Sequence, residues 1–275
     1  QNGNSFYASG SATGVLDALA KDAVLDLHLS ELNVGRGTFA GFGTGTLKWD
    51  QTEVIAAADV YFGRGYATGN LEVAAGGEFH LGTDAERIAN LFIAYNDSAN
   101  GTATANLDFS VNNPTFTAFV SNDLSIGREA GAATDASTAA NGSLTLASNS
   151  TLHLGTAAAL ATLNIGWSQN GNSFYASGSA TGVLDAAEGT MTAHLSDLSV
   201  GITASVGTAK GTLVMGSGTS FEAQSLNIGV GASATGFVDI VGGTLQATTL
   251  TLASGTLDLN ANPLTVGATG TLNAQ

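Results

Sequence analysis

Apolar positions along this chain recur in a phrase of four: an apolar residue, any residue, an apolar residue, glycine. It reads Leu32-Asn33-Val34-Gly35 and returns as Val60-Tyr61-Phe62-Gly63, Leu124-Ser125-Ile126-Gly127, Leu163-Asn164-Ile165-Gly166, Leu198-Ser199-Val200-Gly201 and Leu226-Asn227-Ile228-Gly229. Leu91-Phe92-Ile93-Ala94 and Leu250-Thr251-Leu252-Ala253 carry alanine in the glycine place. An apolar-x-apolar triplet has a period of two, so its flanks face one side of a strand and its middle residue the other. Two further triplets accompany each phrase. One follows a turn, as in Leu47-Lys48-Trp49, Leu107-Asp108-Phe109, Leu184-Asp185-Ala186 and Val238-Asp239-Ile240. The other is looser, as in Val54-Ile55-Ala56, Phe79-His80-Leu81, Phe116-Thr117-Ala118 and Phe221-Glu222-Ala223.

Three strands per unit of roughly 24–39 residues predict three walls around a narrow apolar interior. One unit cannot bury its own face, so stability has to come from stacking. The expected fold is all-β: a parallel, three-sided β-solenoid of about eight to nine coils, ~4.8 Å per coil and on the order of 40 Å long. Right-handed winding is expected, as for most parallel crossovers. Glycine closing the phrase permits the positive φ of a tight corner. A larger duplication overlies this pattern: residues 1–18, QNGNSFYASGSATGVLDA, return letter for letter at 169–186. Residues 1–275 thus read as one continuous solenoid in which 1–35 is duplicated at 169–201. A β-sandwich also has short alternating strands, but it gives no reason for a three-segment repeat. Residues 84–90 and 157–161 have helix-friendly content and read as corner loops with room for one helical turn. The longest excursions, 128–141 and 169–181, follow the phrase; Leu264-Thr265-Val266-Gly267 reads as the start of another coil.

Composition narrows the function. Of the 275 residues, 22 are acidic and 7 basic, a net charge of −15. No Lys/Arg cluster exists to neutralise phosphates, which argues against nucleic acid and anionic lipid as partners. Cysteine is absent, which excludes a disulfide framework and thiolate metal sites. No apolar run reaches the ~20 residues that cross a bilayer, so membrane insertion is not expected. The chain begins at Gln1 without a signal-peptide pattern and reads as a processed product or a piece of something longer.

Two outward columns are candidate sites. The middle residues of the second triplet run Asp17, Lys48, Glu72, Asp108, Thr145, Asp185, Val214, Asp239 and Asp258, with Asp17, Glu72, Asp108, Asp185, Asp239 and Asp258 acidic. Such a ladder could hold Ca²⁺. It lacks a calcium-loop motif, so the reading is a solvated acidic face with no cofactor. Residues just after the phrase give the second column: Arg36, Arg64, Tyr95, Arg128 and Trp167, then Ile202 and Val230. Arg, Tyr and Trp are frequent contact anchors; equally, long side chains at a corner cover apolar surface while their tips stay wet. His28 pairs with His194 as one repeat position, and His80 with His153 as another, which gives them a structural reading. Asn96, Asn100, Asn141 and Asn149 stand in Asn-x-Ser/Thr patterns at or beside expected turns. No catalytic motif is recognised.

With its L-x-I/V-G phrases, T-G-x-L second strands and Gly/Ala/Thr/Asn/Ser composition, the chain resembles bacterial exported β-solenoids: autotransporter passengers, filamentous adhesins and β-strand-repeat surface proteins. The resemblance covers the whole chain but is one of style and transfers no functional residue. It implies an extracellular or cell-surface structural role, and the expected partner is a further copy of the chain, joined head to tail. The alternatives are a carbohydrate- or surface-binding passenger using the Arg/aromatic column, a glycan-active β-helix enzyme, and ice binding, for which the outward residues are too mixed.

Overall fold

The computed structural model describes residues 10–19, 25, 27–38, 41–130, 138–169, 178–204 and 207–274, with backbone alone for 267–274. The excursions at 128–141 and 169–181 therefore lie partly outside the described residues. In chain order the strands are β1 (Gly10–Ala18), β2 (Leu27–Arg36), β3 (Gly41–Trp49), β4 (Val54–Arg64), β5 (Ala67–Val73), β6 (Glu78–Leu81), β7 (Ile88–Asn96), β8 (Gly101–Asp108), β9 (Thr115–Glu129), β10 (Thr138–Thr145), β11 (Ser150–Leu154), β12 (Ala161–Ser168), β13 (Gly178–Ala186), β14 (Thr190–Thr203), β15 (Thr208–Met215), β16 (Thr219–Val230), β17 (Ala234–Ile240), β18 (Thr244–Leu252), β19 (Gly255–Asp258) and β20 (Leu264–Ala274). Every strand pairing among them is parallel. The chain is a parallel β-solenoid.

The second triplets form one ladder, β1-β3-β5-β8-β10-β13-β15-β17-β19. Their register is the one the repeat predicts: Leu16 lies beside Leu47, Leu144 beside Leu184, Leu213 beside Val238, and Val238 beside Leu257. The other two triplets share a second ladder. In β2, β4, β9, β14, β16, β18 and β20 the third triplet's stretch runs on into that of the next phrase as a single bent strand. The bend is a register shift, seen between Ile88 and Asn90 and between Ala161 and Thr162. Ser121, Ser196 and Thr249 turn their hydroxyls onto the carbonyls of Ile88, Ala161 and Gln224 on the adjoining rung, satisfying groups that the bend frees. Where Gly82 and Gly155 take positive φ, at 65° and 67°, the strand breaks instead into β6/β7 and β11/β12. The corner loops there, 83–87 and 156–160, contain no helical turn.

Three details of the third triplets differ from the repeat-based reading. Ile55 and Ala57 point inward, not Val54 and Ala56. Phe116 lies beside Ser150 rather than Leu152, a two-residue offset that keeps the same face inward. Leu264 and Val266 sit in the rows of Leu245 and Ala247, and the phrase row is continued by Leu272.

The core is one apolar column, aliphatic over most of its length and aromatic around Trp49, Phe62, Phe79, Phe109 and Phe116, all buried. Phe109 and Phe116 stack with centroids 4.1 Å apart. Two glycine columns meet backbone to backbone at one corner. Phrase glycines such as Gly127, Gly166 and Gly201 take φ of 65–66°. Opposite them, glycines of the T-G-x-L wall have ordinary backbone but admit no side chain: a Cβ on Gly182 would overlap the Gly166 nitrogen and the Ile126 carbonyl. Ala94 holds the phrase corner at φ 59° without a glycine.

Candidate functional site

Positive φ at the phrase glycine turns the following residue outward. The column read from the sequence is a true ladder row: Arg36, Arg64, Tyr95, Arg128, Trp167, Ile202 and Val230 lie side by side on successive rungs. The phrase's middle residues Tyr61 and Phe92 join it. Arg64 sits over the Tyr61 ring at 4.3 Å; Tyr61 stacks on Phe92 at 4.7 Å; Phe92 meets Tyr95 at 4.8 Å. Arg128 lies 5.6 Å over Tyr95 and 4.3 Å over Trp167. Contacts of this type favour a cation on an aromatic face.

Each guanidinium is also paired with acid. Arg64 bridges Glu31 at 2.6 Å and Asp97 at 2.9 Å, Arg128 binds Asp123 at 2.7 Å, and Arg36 reaches Glu31 at 3.4 Å. Burial works against ionising Glu31, but the Asn33 amide and Arg64 outweigh it and hold its carboxyl below the usual range. Burial likewise opposes charge on Arg64, and Asp97 more than restores it. Burial pushes the Tyr61 phenol up to about 12 and raises Tyr95 as well. At neutral pH Arg64 therefore stays charged and the Tyr61 and Tyr95 phenols stay neutral. Tyr61 lies between Arg64 and Phe92 and is buried, while Arg36 is exposed and Tyr95 and Trp167 are half-buried.

The acidic column has a local cause. Asp17, Asp108, Asp185 and Asp258 each accept, through Oδ1, the backbone N–H two residues on, at 2.9–3.2 Å: Leu19, Ser110, Ala187 and Asn260. They are Asx turns closing the corner after the second strand. Along the row, Lys48, Thr145 and Val214 stand between most acids, and Lys48 binds Glu72 at 3.0 Å. Two acidic steps remain. Between Glu72 and Asp108 the ladder parts: β5 and β8 pair only from Ala67 to Gly69, leaving a cavity of about 390 Å³ edged by both carboxylates over Leu71, Leu107 and Phe109. Between Asp239 and Asp258, the Asn260 amide donates to Asp239. Among the described residues no three His, Asp or Glu groups come together as they would around a metal ion.

His80 and His153 do not share a row as the repeat suggested. His80 lies beside Thr117, and His153 beside Phe119, two positions further along the strand. His80 contacts Glu78 at 3.0 Å and His194 contacts Glu222 at 3.1 Å. Asn96 stands beside a turn as expected, but Asn141 does not. Asn96 is fully buried at the end of β7 and donates to the carbonyls of Gly101 and Ala139, so it could not carry a glycan without losing both bonds; Asn141 lies within β10. A buried carboxylate escaped the sequence reading: Glu129 accepts from Thr138 at 2.9 Å and Ser168 at 3.0 Å. No protein-family description, curated protein or solved structure matches the chain.

Proposed function

We propose that the chain is a structural extracellular or cell-surface protein, a β-solenoid rod that extends head to tail into a fibre, sheath or adhesin stalk. One observation carries the reading. The strand Gly-Ser-Ala-Thr-Gly-Val-Leu-Asp-Ala occurs twice, as β1 and β13. In β13, held between β10 and β15, Leu184 is 0% exposed; in β1, which among the described residues pairs only with β3, Leu16 is 43% exposed. An apolar groove of about 440 Å³ opens there between Val15, Leu16 and the Leu32–Gly35 phrase. Exposed apolar ends and unpaired ladder edges favour axial stacking. The Gly/Ala/Thr/Ser/Asn-rich composition suits a repetitive scaffold.

A glycan-binding role for the Arg/aromatic row fits less well. Sugars dock on open ring faces, whereas Tyr61, Phe92 and Trp167 lay theirs against neighbouring rings and guanidinium groups.

Sedimentation and negative-stain imaging over a range of concentrations test the reading. The expected result is linear species that lengthen with concentration. Gly14→Ala should weaken association roughly tenfold, because Gly14 holds the position at which Gly182 meets the preceding phrase. A chain that stays monomeric at high concentration overturns the proposal.

A further inference from the structure

The second-triplet wall holds a window between β5 and β8. The two strands pair only from Ala67–Ala103 to Gly69–Ala105. Past that point residues 70–73 keep β3 on one side, and residues 106–108 keep β10. On the sides that face each other neither stretch has a ladder partner. The wall then closes again. The Gly76 N–H donates to the Asn112 carbonyl at 3.3 Å, the Thr115 N–H to that of Gly77 at 2.8 Å, and Glu78 pairs with Thr115. The window is thus framed within the wall and owes nothing to where the rod begins or ends. Its floor is apolar and incompletely covered. Leu71 is half-buried, although Leu47 beside it and Leu107 across the window are each 1% exposed. Val111, on the rim, is 58% exposed. The cavity of about 390 Å³ falls in the ~300–1,000 Å³ range of ligand clefts.

We propose that this window docks an extended peptide segment of a partner protein, one in which apolar residues flank a lysine or arginine. The wall itself supplies the pattern. One rung away, Leu47-Lys48-Trp49 buries its leucine and tryptophan and sets its lysine between Asp17 and Glu72, 3.0 Å from the latter. A segment of that pattern in the window lays its apolar side chains over Leu71, Leu107 and Phe109. Its cation then stands between Glu72 and Asp108, the two carboxylates of the rim. Open strand edges hold extended peptides through the main chain, and alternate side chains give the specificity. A net charge of −15 favours a basic partner over a second copy of this chain.

Calorimetric titration of the full chain tests this with a capped synthetic peptide copying residues 44–49, Thr-Gly-Thr-Leu-Lys-Trp. One saturable site per chain is expected, weaker at about 0.5 M salt than at about 0.05 M. The same peptide with glutamate in place of lysine should bind at least roughly tenfold more weakly. Asp108→Asn keeps the oxygen that accepts from the Ser110 N–H and removes the charge; it should weaken binding roughly two- to five-fold. Val111→Ser, at an exposed position, should weaken it by a similar factor. Asp185→Asn, at the same kind of turn away from the window, should leave it unchanged. Absence of saturable binding up to about 1 mM peptide, or equal binding of the glutamate peptide, overturns the proposal. Binding that neither Asp108→Asn nor Val111→Ser weakens lies elsewhere on the rod and overturns it too. Ca²⁺ alone binding at Asp108, without the peptide, would make the rim a cation site and likewise overturn it.

Discussion

Phe119 lies flat on His153, ring centroids 4.7 Å apart and planes 15° from parallel. Burial, and then the Arg87 guanidinium, hold this imidazole below its usual range, with Asp84 acting the other way. The folded chain therefore binds the proton more weakly than the unfolded chain. Stability from this group is intact above about pH 6.5 and falls as pH drops through the lowered folded value. Glu31 has the same sign at lower pH, contributing above the ordinary 4.5 and losing its contribution as pH falls through its lowered value. Urea midpoints measured from about pH 7 to about pH 5 should decline in the wild type, and His153→Gln should flatten that decline; identical slopes would contradict the assignment. The arginine partners were legible in part. An acid stands five positions before three of the four arginines: Glu31 before Arg36, Asp59 before Arg64 and Asp123 before Arg128. Two of these pairs form as spaced, while Arg64 takes Glu31 from the neighbouring rung and Asp97, leaving Asp59 to accept from Asn90. Rung-to-rung choices of this kind depend on register and cannot be read from spacing within one coil.

At the scale of elements, the glycine-lined corner is where two walls touch backbone to backbone. Its phrase side was legible, because glycine at a fixed place after an apolar triplet signals a positive-φ corner. Its other side was not: Gly182 and Gly211 have ordinary φ, and only the approach of the opposing phrase explains them. The duplication supplies a controlled comparison. A Cβ on Gly182 overlaps Gly166 and Ile126, while one on Gly14, in the same nine-residue sequence, meets nothing within 4 Å. Gly182→Ala should cost about 1–3 kcal/mol or more in denaturant unfolding, and Gly14→Ala in the dissociated chain less than about 0.5 kcal/mol. Equal costs would mean that the two walls do not meet at this corner. The third triplet was the least legible element. Residues 54–58 read Val-Ile-Ala-Ala-Ala and are apolar throughout, so alternation gives no phase; the fixed inward positions of Val60 and Phe62 and the intervening bend set it instead. The opening between β5 and β8 was also invisible, since it arises beside the bulkiest part of the core, around Phe79, Phe109 and Phe116.

Over the whole molecule, β1 and β13 share one sequence and differ in their neighbours: β13 pairs on both edges, and β1, among the described residues, on one. Residues 10–18 and 178–186 are identical, so the unfolded-state exchange rates of their amides are matched by sequence. Hydrogen exchange on longer peptides, told apart by the differing residues that follow, compares the two strands directly. In dilute protein, β13 should be strongly protected and β1 much less so; at concentrations where rods form, protection of β1 should rise to approach that of β13. Protection of β1 that stays low in the assembled state, or that equals β13 already in the monomer, would contradict axial stacking.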